Sequence, residues 1–324
     1  MRILGREVLE ALLPPADVIA AVERAFRECA AGRAATLPRA MLPVGRDGVF
    51  LAMVSALPRL GALGTKLVMV VEGNRRRGLP TIHAAYLLTD PETGAPLALM
   101  EGGFLTGIRT GATSAVAARH LARPDSRVVA CFGAGVQARF QLLCLSRVLP
   151  LAEVRVVGRD PRRAAAFAEG MRRELRIAVQ VETSRKAAVT GADIITCATT
   201  SSRPVFSGRD LAAGAHVDAV GAFRPTTREV DTMTIRKSRV VVDTYEGAWE
   251  EAGDLLIPIK AGAITRRHIR AELAELVAGT RPGRTSPREI TLFKSVGYAP
   301  EDAVTARLAY DRAVAAGLGA EVSL

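Results

Sequence analysis

Residues 127–138, Arg127-Val-Val-Ala-Cys-Phe-Gly133-Ala-Gly135-Val-Gln-Ala138, constrain the fold more than any other stretch. A continuously apolar run of this length reads as a strand covered on both faces, the signature of a parallel sheet. It ends in a glycine pair, and residues 136–148 then read as a helix. In this G-x-G-x-x-A arrangement Gly133 permits a tight turn, Gly135 lets the backbone approach a pyrophosphate, and Ala138 allows close helix packing. The N–H groups of the helix start, Val136 and Gln137 included, would face the phosphates. A strand, this turn and a helix in succession point to dinucleotide binding, against the alternative of an ordinary glycine turn.

The alternation continues, with strands expected at Val154–Val157, Val179–Glu182, Asp193–Cys197, His216–Val220 and Arg239–Asp243. That makes a doubly wound parallel domain of about six strands. The second strand ends in Gly158-Arg159-Asp160. An acidic residue there would bind the ribose of NAD, whereas an arginine accommodates the 2′-phosphate of NADP. Gly158 occupies the usual carboxylate position, Arg159 follows, and Asp160 is accounted for as the N-cap of a helix opening at Pro161. NADP is favoured, with NAD second.

The first 110 residues read differently. A helix over 15–32 precedes apolar stretches at 49–54, 64–71 and 82–88, and Thr89-Asp-Pro-Glu-Thr-Gly94 marks a hairpin turn. This is an α+β pattern on a mixed or antiparallel sheet. A helix over 303–316 is expected to return to this half, giving a discontinuous domain of residues 1–112 and 303–324 around a Rossmann domain of 113–302. Two domains suit 324 residues with 49% hydrophobic and 24% charged content.

No apolar run reaches the length of a bilayer span, and Glu7, Glu10 and Asp17 interrupt any signal-peptide pattern, so a cytoplasmic protein without a membrane partner is expected. The net charge of +11 comes from arginines spread over the whole chain, and aromatics make up 4%, too few for base stacking. Nucleic acid is not expected as a partner. The four cysteines and four histidines lack metal-ligand spacing, which predicts free thiols and no structural metal.

Three cations in the first half stand in unusual settings. Lys66, one of five lysines, lies in the strand Gly64-Thr-Lys-Leu-Val-Met-Val-Val71; Arg39 sits between Pro38 and Ala40; Arg109 opens Arg109-Thr110-Gly-Ala-Thr-Ser114. Together they could clamp one carboxylate, with the lysine also able to exchange protons. Taken singly, each reads equally well as a solvated surface residue.

At this point the chain resembles the ornithine cyclodeaminase and mu-crystallin family. The matching blocks are Gly64-Thr-Lys-Leu67, Gly78-Leu-Pro-Thr81, Leu105-Thr-Gly-Ile-Arg-Thr110, Gly133-Ala-Gly-Val-Gln-Ala138, Cys197-Ala-Thr-Thr-Ser201, Val220-Gly-Ala-Phe-Arg-Pro225 and Leu292-Phe-Lys-Ser-Val-Gly297. The resemblance implies a Rossmann domain plus a discontinuous domain for substrate binding and homodimerisation. It also implies a substrate carboxylate held by Arg39, Lys66 and Arg109, with Lys66 handling protons. The positions implied to line the dinucleotide are Thr81, Arg109, Thr110, Gly133, Gly135, Val136, Gln137, Gly158, Arg159, Asp160, Thr199 and Val220, with Lys294 and Val296 near the nicotinamide.

Two departures from the family pattern bear on the reaction. Cyclodeaminases and archaeal alanine dehydrogenases carry an aspartate where this chain has Phe223, and cyclodeaminases carry a glutamate before the lysine block, whereas no acidic residue lies between Asp47 and Glu72 here. A free amino acid needs a base before hydride can leave its Cα. A preformed cyclic imine needs chiefly orientation and a bound reduced cofactor. The expected activity is therefore NAD(P)H-dependent reduction of pyrroline-2-carboxylate or piperideine-2-carboxylate to proline or pipecolate. The alternatives are a cyclodeaminase or alanine dehydrogenase, and a mu-crystallin-like ligand carrier.

Overall fold

The structure, a computed structural model, describes residues 1–323, the side chains of residues 72 and 75 excepted. The chain divides into two compact units, one of residues 1–109 with 299–324 and one of residues 110–298.

The first unit is built on strands β1 (Arg2–Leu4), β2 (Ala35–Thr36), β3 (Ala40–Val44), β4 (Gly48–Leu57), β5 (Ala62–Val71), β6 (Ile82–Thr89) and β7 (Pro96–Glu101), completed by a short final strand, Ala320–Glu321. They form one mixed sheet in the order final strand, β1, β7, β6, β5, β4, β2, with β3 also on β4. Only β1 and β7 run parallel; the other pairs are antiparallel. The β6–β7 hairpin closes on Asp90, whose Oδ1 accepts the N–H groups of Glu92 and Thr93 at 2.9 Å. The helix Pro15–Ala30 starts on a proline, and its buried residues Val18, Ile19, Val22, Ala25 and Phe26 repeat at helical spacing.

Register puts one row of side chains on the covered face of this sheet: Leu4, Met100, Tyr86, Lys66 and Met53, each opposite the next. All five are buried. The helix Ala299–Ala316 lies against β4 to β7. Its first turn carries Glu301 and Asp302, both fully buried.

The second unit is a parallel sheet of β8 (Val128–Phe132), β9 (Glu153–Val157), β10 (Ala178–Val181), β11 (Ile194–Cys197), β12 (His216–Ala219), β13 (Ser238–Val242), β14 (Ile269–Glu272) and β15 (Ile290–Lys294). The order is β10, β9, β8, β11, β12, β15, β13, β14, with every pair parallel. The doubly wound fold class is as expected. Asp160 caps the helix Pro161–Leu175, its Oδ1 accepting from Arg162 N at 2.9 Å and Arg163 N at 3.2 Å.

Three sequence expectations are corrected. The sheet has eight strands rather than about six, because β14 and β15 are four and five residues long and the helix between them, Leu273–Val277, is too short to announce a βαβ unit. The unit boundaries fall after Arg109 and after Tyr298 rather than at 112 and 302, because the last long helix starts at Ala299 and its first turn pairs with β5. Residues 102–121, across which the expected domain bound at 112 falls, form one continuous helix. Its glycines conceal the periodicity, and Gly111 is there for close approach: a Cβ on it would lie 2.3 Å from the Phe140 carbonyl oxygen. No helix among the described residues is long and apolar enough to cross a membrane.

Candidate active site

In the first unit the site is an ion cluster built on Lys66. Strand alternation turns Lys66 to the covered face, where its neighbours across the sheet are Met53 and Tyr86. A lysine so placed requires a partner. Asp302 supplies it, with Oδ2 accepting from Lys66 Nζ at 2.7 Å. The other oxygen of Asp302 accepts from Arg109 Nε at 3.0 Å, and Arg109 Nη1 donates to Glu301 at 2.6 Å. Lys66 and Arg109 are thus held by one carboxylate, and a second carboxylate fixes the far edge of the guanidinium.

Burial lowers the Lys66 pKa to about 8, and the fields of Arg109 and Arg39 push the same way while Asp302 opposes them. Arg39, half-buried just before β3, is therefore within electrostatic reach of Lys66. The three cations expected to act together share one neighbourhood. Within the ion pairs Glu301 and Asp302 offset Lys66 and Arg109, and Arg39 brings a third cation to the same neighbourhood.

Three residues of this cluster escaped the sequence reading. Glu301 and Asp302 look like ordinary acidic residues of a helix first turn, a placement the helix dipole favours anyway. Tyr86 looks like a strand aromatic. Its hydroxyl is buried with no hydrogen-bond partner among the described residues, and burial, aided by Asp302, keeps the phenol far above its ordinary pKa.

In the second unit the sequence-predicted residues gather at the carboxyl ends of the parallel strands. Gly133 to Gln137 follow β8, Gly158 to Asp160 follow β9, Thr199 follows β11, Val220 and Phe223 follow β12, and Val296 follows β15. Strand order reverses at β8, whose neighbours are β9 on one side and β11 on the other. Ligands of open α/β sheets bind at such a switch point. Gly133 has φ +119° and a Cβ there would lie 2.5 Å from the Ala198 carbonyl oxygen, while nothing lies within 4 Å of a Cβ on Gly135. No side chain caps the helix that starts at Val136, and Val136 is 53% exposed although apolar. Gln137 Oε1 is buried without a partner among the described residues. Open backbone donors beside a tight glycine turn fit a pyrophosphate. Arg159 is exposed at the end of β9.

Lys294, the last residue of β15, turns into the unit. Its ammonium is buried, donates to the Ala219 and Ala222 carbonyls at 3.1 and 2.5 Å, and lies 2.9 Å from Asp254 Oδ2. It serves the interior of the unit. The turn after β15 is held by Asp243, whose Oδ2 accepts from Ser295 Oγ at 2.8 Å and from the N–H groups of Val296 and Gly297 at 2.7 Å. Cys131, Cys144 and Cys197 are buried and free, with thiols pushed up by desolvation, so none is a nucleophile. Among the described residues no group of three or more potential ligands could hold a metal ion.

A Delta(1)-pyrroline-2-carboxylate reductase of Bacillus cereus is 40% identical over 308 residues, 94% of each chain. The solved structure of the Thermococcus litoralis Delta(1)-pyrroline-2-carboxylate reductase in complex with NADH and L-proline superposes with a TM-score of 0.97, at 46% identity over 99% of this chain and 100% of that one. An archaeal alanine dehydrogenase dimer with bound NAD superposes with a TM-score of 0.94, at 34% identity over 100% and 99% of the two chains. The model of the ornithine cyclodeaminase/mu-crystallin family matches residues 3–317, so the chain belongs to that family.

Proposed function

We propose that this protein is an NAD(P)H-dependent reductase of cyclic imino acids, converting pyrroline-2-carboxylate or piperideine-2-carboxylate to proline or pipecolate. The observation that carries the reading is the Lys66 cluster: a buried lysine at a pKa of about 8, ion-paired to Asp302, whose other oxygen holds Arg109. Relatives with the reductase name and a neighbour holding NADH and L-proline support it.

The first unit binds the substrate. The forked guanidinium of Arg109 is already oriented by Glu301 and Asp302, and Arg39 lies within electrostatic reach of Lys66. Lys66, protonated below pH 8, holds a proton for the imine nitrogen and supports the iminium form that accepts a hydride. Gly133, Gly135 and the helix start at Val136 and Gln137 hold the pyrophosphate, and Thr199, Val220 and Val296 line the nicotinamide end. A bound reduced nicotinamide supplies the hydride. Phe223 stands where cyclodeaminases use an aspartate, with the Arg224 guanidinium 5.8 Å from its ring centre. No acidic group at that position is available to accept a proton from an amine, which favours the imine over the amino acid as substrate.

The reading extends to cofactor choice and assembly. Arg159, exposed beside Gly158, supports NADP as cofactor over NAD. The sheet face opposite Lys66 exposes Ile3, Leu99 and Leu87, each opposite the next, with Leu67 diagonal to Leu87, all 36–42% accessible. A contiguous apolar patch of this kind supports a homodimer, the state named for the archaeal alanine dehydrogenase neighbour. The reaction is tested by supplying the reduced cofactor deuterated at its transferable hydrogen together with pyrroline-2-carboxylate. Proline carrying deuterium at Cα is expected; release of ammonia from ornithine, with the imine untouched, would replace this reading by the cyclodeaminase one.

A further inference from the structure

The second unit contains a buried charged group that the reaction itself does not use. Glu229, Asp254 and Lys294 are 0%, 0% and 1% exposed. Both oxygens of Glu229 are spent on two loops. Oε1 accepts from Thr199 N and Thr199 Oγ1, each at 2.6 Å, and Oε2 accepts from Gly221 N at 2.6 Å and Ala222 N at 3.2 Å. The Glu229 backbone is itself fixed, its N–H donating to Asp254 Oδ1 at 2.7 Å, with Val230 N on the same oxygen at 3.0 Å. Asp254 is paired with Lys294 Nζ at 2.9 Å, and that ammonium also binds the carbonyls of Ala219 and Ala222. The carboxyl ends of three neighbouring strands, β11, β12 and β15, are thereby tied to one carboxylate and its two supports.

Sheet topology says which half of the cofactor those ends serve. The adenosine ribose is read at the end of the second strand, here β9, and the pyrophosphate sits over the first turn, here after β8. The rest of the dinucleotide then runs to the other side of β8, over β11 and β12. We propose that Glu229, supported by Asp254 and Lys294, is a positioning residue for the nicotinamide half of the cofactor: it locks the Thr199 turn to the 220–222 turn, so that both present a fixed floor. A carboxylate suits this task because it accepts four hydrogen bonds from two separate loops, which no neutral side chain of similar size can do. Burial raises its pKa, Lys294 and the Thr199 donors oppose the rise and Asp254 adds to it.

The inference rests on the dinucleotide reading of this unit and is tested separately from it. Binding of NADPH and of 2′-phospho-ADP-ribose, which lacks the nicotinamide, is measured by calorimetry on the whole protein, on Glu229→Gln and on Glu229→Asp. Glu229→Gln turns two donors of an amide toward N–H groups, and is expected to weaken NADPH by about tenfold or more while leaving the truncated ligand within about twofold. Glu229→Asp keeps the charge but cannot span both loops, and falls between; it carries the test if the glutamine variant does not fold. Equal loss for both ligands, or unchanged NADPH binding in both variants, overturns the proposal. Failure of the unaltered protein to bind NADPH and NADH alike would instead overturn the dinucleotide reading itself.

Discussion

Lys66 shows how a single residue acquires chemistry from its neighbours. In water its ammonium would titrate near the ordinary 10.5; between Met53 and Tyr86, under a helix, it titrates at about 8. If the protonated form delivers the proton, log kcat/KM falls above pH 8 by about one decade per pH unit. Asp302→Asn removes the group that holds this pKa up, and is expected to shift that limb to lower pH; an unshifted limb would mean another group sets it. The linkage to stability has the opposite sense. The unfolded chain binds the proton up to pH 10.5, so the cost, about 3 kcal/mol, is fully present below pH 8 and relieved as pH rises toward 10.5. Lys66→Ala is expected to lower kcat by about 10²-fold or more with NADPH affinity retained; retained turnover would take the proton-handling role from this lysine. Sequence alone located Lys66, Arg39 and Arg109, because cations flanked by apolar residues are conspicuous. It missed Glu301 and Asp302, since acidic residues opening a helix need no further explanation.

At the scale of elements, six of the eight parallel strands were legible because each is short, apolar and closed by a turn signal, as in Val128–Phe132 before Gly133. The helix Gly102–Leu121 was not. Glycines at 102, 103, 107 and 111 lower helix propensity, and the reason they stand there is tertiary. Gly111→Ala places a methyl group 2.3 Å from the Phe140 carbonyl and is expected to destabilise the protein by about 1–3 kcal/mol, read as a lower Tm with near-wild-type KM after refolding. An unchanged Tm would show that the two helices part at no cost. Lys294 teaches the converse. A lysine in a family motif at the end of a strand looks like a ligand-binding group, yet its charge serves Asp254 and two carbonyls. Only the position of Asp254, 40 residues earlier in the chain, reveals it.

The molecule as a whole separates its tasks between two units, one carrying the cation cluster and the other the glycine turn. Because Lys66 and Arg109 are buried, substrate affinity should weaken with ionic strength less than it would at a surface site. The apolar face through Leu67 and Leu87 is expected to pair two copies, so Leu87→Lys should shift the sedimenting species from dimer to monomer; a wild-type monomer at micromolar concentration would remove that inference. The arginine-borne charge of +11 is dispersed over both units and makes no single basic face a requirement of the account. The most direct measurement is oxidation of NADPH by the purified protein, with pyrroline-2-carboxylate and piperideine-2-carboxylate supplied in parallel, NADH as the cofactor control, and ornithine, lysine and alanine with the oxidised cofactors. The account predicts turnover with at least one imine, faster with NADPH than NADH, and no ammonia from the amino acids; silence on both imines with NADPH still bound would contradict it.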